Sequence, residues 1–452
     1  MENAKTFSAL REAHPNFIYE SYDIIPENGQ VKLVFHFSVE DLARFSPSWV
    51  FPLGDSDVDL SSPTFRLMVF NLGMAELVSY WKIACPPRVI VKAGHLSESQ
   101  IKWWKKLYFN GLGEFFYLNS IDPDPDTFMS ITSTVEESAI FKSDRPLSGN
   151  LIPVGGGKDS SVTLEMLHEY KDENFPYIIN PRGATLDSVE AAGLSDKTIA
   201  VRRTLDPEML RLNKEGYLNG HTPFSAVVAF SSIIAAYIKA LRYVVLSNES
   251  SANESTVASS YVNHQYSKSF EFEQDFHAYE EEYIRSGVYY FSLLRPLSEY
   301  QIAKYFSRLK KYHPIFKSCN RGSHQNIWCG SCPKCLFVWL ILSPFLSHSE
   351  LIDIFGRDMA NDTSLIPTLD KLTGLVPEKP FECVGSRAEV NFALSACIKK
   401  SSALPALYDY YSKTPLYREF SALQNPYDTY RDDNNLLPPG FMKIIERECY
   451  NE

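Results

Sequence analysis

The densest concentration of reactive residue types in the sequence is Gly155-Gly156-Gly157-Lys158-Asp159-Ser160, directly after the apolar run 151–154. Three successive glycines let backbone amides approach a phosphate without a Cβ in the way, and a helix starting there adds the positive end of its dipole. Val162, Met166 and Tyr170 recur every four residues with Leu167 beside them, which predicts the buried face of such a helix. Ser160 or Ser161 is placed to cap it. Lys158 offers a cation for phosphate charge, and Asp159 a carboxylate for a magnesium ion carried with a nucleotide. The loop is not a Walker A, which needs glycine where Ile152 stands and serine or threonine where Asp159 stands. The glycine spacing of a dinucleotide fingerprint fails too. A glycine-rich turn without a ligand is the bland alternative, and the strand before, the helix after and the attached Lys-Asp-Ser weigh against it.

A second constellation is Cys319, Cys329, Cys332 and Cys335, spaced C-x9-C-x2-C-x2-C. Four thiolates at that spacing can close a tetrahedral zinc site, and Trp328, Gly330 and Pro333 suit a tight knuckle anchored by the apolar residues 336–346. A redox pair in Cys329 and Cys332, or free buried thiols, are the alternatives. Four ligands leave no open position, so such a metal has no catalytic role. The remaining cysteines, Cys85, Cys383, Cys397 and Cys449, are scattered, and eight in 452 residues are too few for a disulfide scaffold.

The elements that must position these groups are legible in outline. Val31, Leu33, Phe35, Phe37 and Val39 alternate with polar residues and predict a half-buried strand, and the apolar segment 65–83 predicts a helix. Asp122-Pro123-Asp124-Pro125-Asp126 can continue neither, so a domain boundary is expected between it and Asn150. Beyond it, short apolar runs at 151–154, 177–179, 199–201 and 243–246 alternate with helical segments at 162–170 and 223–242, as a parallel sheet flanked by helices requires. Pro153 shortens or bulges its strand. After Leu351 the chain becomes helical and loop-rich. The expected organisation is an N-terminal α+β domain over 1–145, an α/β domain over 146–350 that ends in the cysteine cluster, and a helical region over 351–452.

A formal charge of -11 with the acidic residues spread along the chain argues against a nucleic-acid partner. No apolar run follows a basic start, so no secretory signal is read at the N-terminus. The longest apolar stretch, 222–238, is shorter than the roughly 18 residues of a membrane span and is followed by Lys239 and Arg242, which predicts a buried helix. A cytoplasmic protein with a small-molecule substrate is expected.

Residues 155–160 resemble the Ser-Gly-Gly-x-Asp-Ser signature of the PP-loop ATP pyrophosphatase superfamily, with Gly155 in place of the first serine and hence one hydroxyl contact to pyrophosphate fewer. Asn219-Gly220-His221-Thr222-Pro223 and Tyr243-Val244-Val245-Leu246-Ser247-Asn248-Glu249 look like later elements of that fold. The cysteine cluster is similar to one that follows the PP-loop domain in deazaguanine nitrile synthases. The resemblance implies a HUP-like, doubly wound parallel sheet that converts ATP to AMP and pyrophosphate with magnesium. In such a sheet the loops at the carboxyl ends of the strands meet at the ligand, which puts Ser247 and Asn248 beside the nucleotide.

Four further blocks, 246–254, 262–271, 294–299 and 379–385, are idiosyncratic, and together they resemble the UDP-N-acetyl-α-D-muramoyl-L-alanyl-L-glutamate epimerases over nearly the whole chain. The resemblance implies inversion of the terminal L-glutamate of UDP-MurNAc-L-Ala-L-Glu to D-glutamate in peptidoglycan precursor synthesis, through an acyl-adenylate. Candidate proton carriers are Cys383 beside Glu382, and His264 with Lys268, which share one face if the segment is helical. Buried packing for the thiol and a solvated polar face for the pair are the alternatives. Arg295 is expected as an anion clamp, with Ser298 and Gln301 as the capping box of the next helix. Glu271, Glu273 and Asp275 read as an exposed acidic edge, from which one carboxylate can hold magnesium. Amide, nitrile or thiolation chemistry on a nucleobase or tRNA is the rival within the superfamily, and a non-catalytic nucleotide sensor is a further class.

Overall fold

A computed structural model describes residues 6–136, 142–253, 265–322 and 325–450. In the first part of the chain β1 (Asn16–Glu27), β2 (Gln30–Val39), β3 (Ala43–Phe45) and β4 (Ser48–Pro52) pair antiparallel. β5 (Arg88–Val91) and β6 (Ser130–Ser133) extend this sheet from β1 in parallel. The alternation read in the sequence sets the register of β2: Val31, Leu33, Phe35 and Phe37 are buried while Lys32 stays exposed. They share a core with α1 (Pro63–Trp81), which is capped by Ser62 and started by Pro63.

Five parallel strands follow: β7 (Asn150–Pro153), β8 (Asn174–Ile179), β9 (Ile199–Thr204), β10 (Tyr243–Leu246) and β11 (Tyr289–Ser292). Their spatial order β9-β8-β7-β10-β11 reverses direction between β7 and β10, which makes this part doubly wound. Pro153 is the last residue of β7, where its missing N–H costs least. Between the strands lie α2 (Lys158–Met166) after β7, α3 (Phe224–Ile238) before β10, and α4 (Phe270–Tyr279) before β11. After β11 come α5 (Glu299–Phe306), α6 (Pro333–Leu342) and α7 (Arg387–Lys400), and the helices from α5 onward pack on a second core. None of the described helices is long and apolar enough to cross a membrane.

Two local expectations are corrected. The helix after the glycine loop stops at Met166, because the Asn174 side chain takes the Leu167 carbonyl at 2.7 Å and turns the chain into β8. Tyr170 therefore lies on a 3-10 turn and is exposed instead of completing the buried face. The helix expected to reach residue 242 ends at Ile238, since Ala240 takes a left-handed conformation with φ of 55° that reverses the chain.

The loop of alternating aspartate and proline at 122–126 is present, yet it does not interrupt the sheet. β9 pairs antiparallel with β4, Trp49 opposite Arg203, so the two halves form one eleven-stranded sheet. A buried ion pair holds that seam. The fully buried Glu76 carboxylate of α1 accepts from Trp49 Nε1 at 2.7 Å and from Arg203 Nε and a second guanidinium nitrogen at 2.6 and 2.7 Å. Removing one partner of such a pair strands the other charge in the core, at about 3–5 kcal/mol. Arg203→Ala should accordingly lower unfolding stability by about 3 kcal/mol or more in urea titrations; a loss below about 1 kcal/mol would mean that the seam does not depend on this contact.

Candidate active site

The glycine loop leaves the carboxyl end of β7 at the point where the sheet order reverses. Gly156 has φ of +77°, and a Cβ there would lie 2.8 Å from the Ala184 carbonyl carbon and 2.9 Å from Thr185 N, so only glycine fits. Gly155 is exposed and faces open space. Gly157 is the N-cap of α2 and offers no side-chain cap. The expected serine cap is not made: the Ser160 and Ser161 hydroxyls both donate back to the Gly157 carbonyl, at 3.2 and 3.0 Å. The first amides of α2 are thus left without a side-chain acceptor, which suits an anion. From the other side, Lys317 N donates to the Gly156 carbonyl at 2.8 Å.

Lys158 does not extend into solvent. Its buried ammonium donates to both Asp159 and Glu299, the first residue of α5. Asp159, Glu249 and Glu299 can bring one oxygen each to within 4.8 Å of one another. Glu249 follows the carboxyl end of β10, so the three carboxylates come from three elements that meet at the switch point. Burial works against the Lys158 ammonium, but Asp159 and Glu299 outweigh it and hold the lysine charged well above its ordinary range. Burial likewise opposes the charge of Asp159, and Lys158, Lys334 and Lys268 overcome it. Glu299 goes the other way: burial drives it up, Lys158 only partly compensates, and Asp159 and Glu249 add repulsion. One ammonium thus serves two carboxylates unequally, and Glu299 is the member that holds a proton most readily.

Lys268 ends a short 3-10 turn, Tyr266–Lys268, before Ser269 caps α4. Its ammonium hydrogen-bonds Cys383, and that sulfur is the largest influence holding it charged, with Glu249 and Asp159 adding to it. His264, paired with Lys268 in the sequence reading, lies outside the described residues, and the regular helix α4 begins only at Phe270. Lys334, not singled out from the sequence, is buried and donates from Nζ to the Cys383 carbonyl.

Other expectations are redistributed. Arg295 is fully buried and has no donor pair aimed at a cleft. It bonds the buried Glu273 twice, at 2.7 and 3.1 Å, and the Glu249 and Lys268 carbonyls at 2.6 and 2.7 Å. The guanidinium is therefore an internal staple that positions Glu249 and Lys268, not the anion clamp that was expected. Glu273 is correspondingly not part of an exposed edge, whereas Glu271 and Asp275 pair with Lys106. Ser247 and Asn248 directly follow β10 at the switch point, and their side chains bond scaffold partners, Thr163 at 2.8 Å and Ser292 at 3.2 Å. The Ser298–Gln301 capping box is formed, and the Glu299 N–H above it donates to Glu389 at 2.7 Å.

The four cysteines are brought together. Sγ distances of 3.8 Å (Cys319–Cys332), 3.7 Å (Cys329–Cys335) and 3.5 Å (Cys332–Cys335) match the roughly 3.8 Å edge of a tetrahedron with metal–sulfur bonds of about 2.3 Å. Backbone amides of Gly322 and Cys329 point at the Cys319 sulfur, 3.1 and 3.4 Å away. The loop also touches the site, since Asn326 Oδ1 accepts from Ala184 N at 2.9 Å, beside Gly156.

This geometry separates two neighbouring glycines. Gly156→Ala is expected to cost about 2 kcal/mol or more in denaturant unfolding through strain at positive φ, while Gly155→Ser should stay within about 0.5 kcal/mol of the parent. Equal effects would show that the turn is not the constrained element.

Comparison with known proteins bears on what such a site acts upon. Residues 8–293 match the family model of the MurL N-terminal domain, and residues 315–407 that of the MurL C-terminal domain. A protein of Salinispora tropica, named UDP-N-acetyl-alpha-D-muramoyl-L-alanyl-L-glutamate epimerase, is 37% identical over 391 residues, covering 84% of this chain and 84% of its own. Proteins of the same name from a Micromonospora species and Xanthomonas oryzae pv. oryzae are 34% and 33% identical, covering 84% and 83% of this chain and 86% and 84% of their own. No solved structure matches.

Proposed function

The chain belongs to the MurL family of UDP-N-acetyl-alpha-D-muramoyl-L-alanyl-L-glutamate epimerases, and from that premise we propose that it inverts the terminal L-glutamate of UDP-MurNAc-L-Ala-L-Glu through an acyl-adenylate formed from ATP at the glycine loop. The observation that carries the reading is the position of Gly155–Gly157: an uncapped helix start at the reversal point of a doubly wound sheet, with Asp159, Glu249 and Glu299 beside it. This is the arrangement expected of a PP-loop fold. The domain roles follow the same reading, with the unit 146–350 binding ATP, the region before it gripping the UDP-muramoyl part, and the helical region after 350 closing the site.

A free glutamate carboxylate opposes loss of its own Cα proton, because a second negative charge would develop beside the first. Once the carboxylate oxygen bonds the α-phosphorus and pyrophosphate leaves, the acyl carbonyl is neutral and takes up the carbanion charge as an enolate. Gly155, Gly156, Gly157 and Ser160 supply donors for the phosphates, with Ser247 and Asn248 close by after the end of β10, and Lys158 exchanges a carboxylate for a phosphate oxygen. Asp159, Glu249 and Glu299 are the oxygen donors suited to magnesium, which neutralises phosphate charge when bound. Cys383, hydrogen-bonded by Lys268, takes the proton from one face of Cα, and a second group, for which Lys268 and His264 are the candidates, returns one to the opposite face. Water then releases the D-epimer and AMP, and the buried setting of these side chains limits earlier hydrolysis. Cys319, Cys329, Cys332 and Cys335 are assigned to structural zinc on their spacing and amide-to-sulfur contacts.

Two outcomes are expected. With ATP, magnesium and UDP-MurNAc-L-Ala-L-Glu in heavy water, the protein should release AMP and pyrophosphate and yield D-glutamate deuterated at Cα. AMP formed only with a nucleobase or tRNA acceptor would favour the rival chemistry, and inversion without ATP would remove the adenylate. Elemental analysis should find one zinc per chain, and a Cys332→Ser variant should lose it; metal-free parent protein would exclude the four-thiolate site.

A further inference from the structure

By sequence the cysteine knuckle and Cys383 are separate features, one structural and one chemical. Their contacts join them. Lys334 lies in the two-residue spacer between Cys332 and Cys335, in the first turn of α6. Cys332 is the N-cap of that helix and makes no side-chain cap bond. The orphan Lys334 N–H is taken instead by Glu382 Oε2 at 2.8 Å, from the loop that carries Cys383. The Lys334 ammonium, lying over the Phe337 ring at 5.3 Å, then donates to the carbonyl of Cys383 itself. A single residue of the knuckle spacer thus holds two consecutive loop residues. The loop is fixed again one step on, where Gln265 Nε2 donates to the Val384 carbonyl at 3.2 Å. At Gly385 a Cβ would meet Phe337 at 2.9 Å and Glu299 Cγ at 3.0 Å, so the backbone runs tight along the carboxylate group.

We propose that the four-cysteine knuckle is the mount of the proton-transfer loop, with Lys334 and Glu382 as the positioning residues that set where the Cys383 sulfur stands. The proposal rests on the reading of Cys383 as a proton carrier. A cysteine side chain has one torsion between backbone and sulfur, so a shift of its carbonyl is passed to Sγ almost undiminished. Proton abstraction needs the reacting atoms about 3–3.5 Å apart, and a misplacement of about 1 Å costs on the order of a hundredfold. The glycine loop meets the knuckle segment through other residues, Lys317 just before it and Asn326 within it, rather than through Glu382. Loss of the Glu382 contact should therefore affect inversion more than activation of the carboxylate.

The test uses the full-length protein with ATP, magnesium and the UDP-linked dipeptide in heavy water, and follows AMP release and Cα deuteration separately. Glu382→Ala is expected to cut deuteration at least tenfold while AMP release stays within about threefold, the adenylate being hydrolysed without inversion. Glu382→Gln keeps an oxygen for the Lys334 N–H and should restore deuteration to within about twofold. Amide hydrogen exchange over residues 381–385 should rise in Glu382→Ala and in Cys329→Ser, which cuts the knuckle and leaves the loop sequence intact, but not in Glu382→Gln. Should Glu382→Ala not fold, Glu382→Asp, one methylene too short for the Lys334 N–H, carries the same expectation. Parent-like deuteration and amide protection in these variants, with deuteration abolished in Cys383→Ala, would overturn the mount and leave the proposed function standing. Deuteration that survives in Cys383→Ala would instead overturn the assignment on which the mount rests.

Discussion

The buried Lys158 ammonium, shared between Asp159 and Glu299, is the contact on which the site depends. Three carboxylates gathered away from water carry an effective desolvation penalty of several kcal/mol each unless cations accompany them. Lys158 does this by direct hydrogen bonds, while Lys268 and Lys334 act across the same cleft. Each group arrives on a different segment: the first turn of α2, the end of β10, the start of α5, the turn before α4, and the start of α6. Charge balance therefore fixes where these segments meet. It also leaves the site poised, because a ligand that brings both phosphate and a divalent cation can take over the lysine and the carboxylates together.

The scaffold makes that convergence cheap. A doubly wound sheet leaves a crevice where its strand order reverses, and here the glycine loop and the segment after β10 flank it. Arg295 binds this region internally by bonding Glu273 and the carbonyls of Glu249 and Lys268, so the backbone beside two of the charged groups is held by a fully buried cation. The N-terminal strands belong to the same sheet, joined through Trp49, Glu76 and Arg203, which gives the region before residue 150 a rigid relation to the site.

What could be read from the sequence is what local pattern determines. The glycine loop, the alternation of β2, the short runs that become β7 to β10, the Ser298–Gln301 capping box and the cysteine spacing each depend on a few neighbouring residues, and each is realised. The errors arise where long-range pairing decides. Arg295 looks like a free guanidinium until Glu273, twenty-two positions away, is placed against it. Glu299 reads as the first residue of a helix, and its meeting with Lys158 spans 141 positions. Lys334 is hidden in a metal-knuckle spacer, where only its contact with a loop 49 positions later reveals a role. The antiparallel join of β9 to β4 has no local signature either, so nothing in the sequence announces that one sheet runs through both parts of the chain.

The central claim is that the substrate carboxylate becomes bonded to the α-phosphorus before the Cα proton moves. Positional isotope transfer tests it most directly: UDP-MurNAc-L-Ala-L-Glu labelled with oxygen-18 in the α-carboxylate of its glutamate is turned over with unlabelled ATP, and the AMP is analysed by mass spectrometry. AMP carrying one oxygen-18 is the expected result, since the bridging oxygen of the adenylate leaves with the phosphate when water attacks the carbonyl. Formation of D-glutamate with AMP free of label would contradict the account.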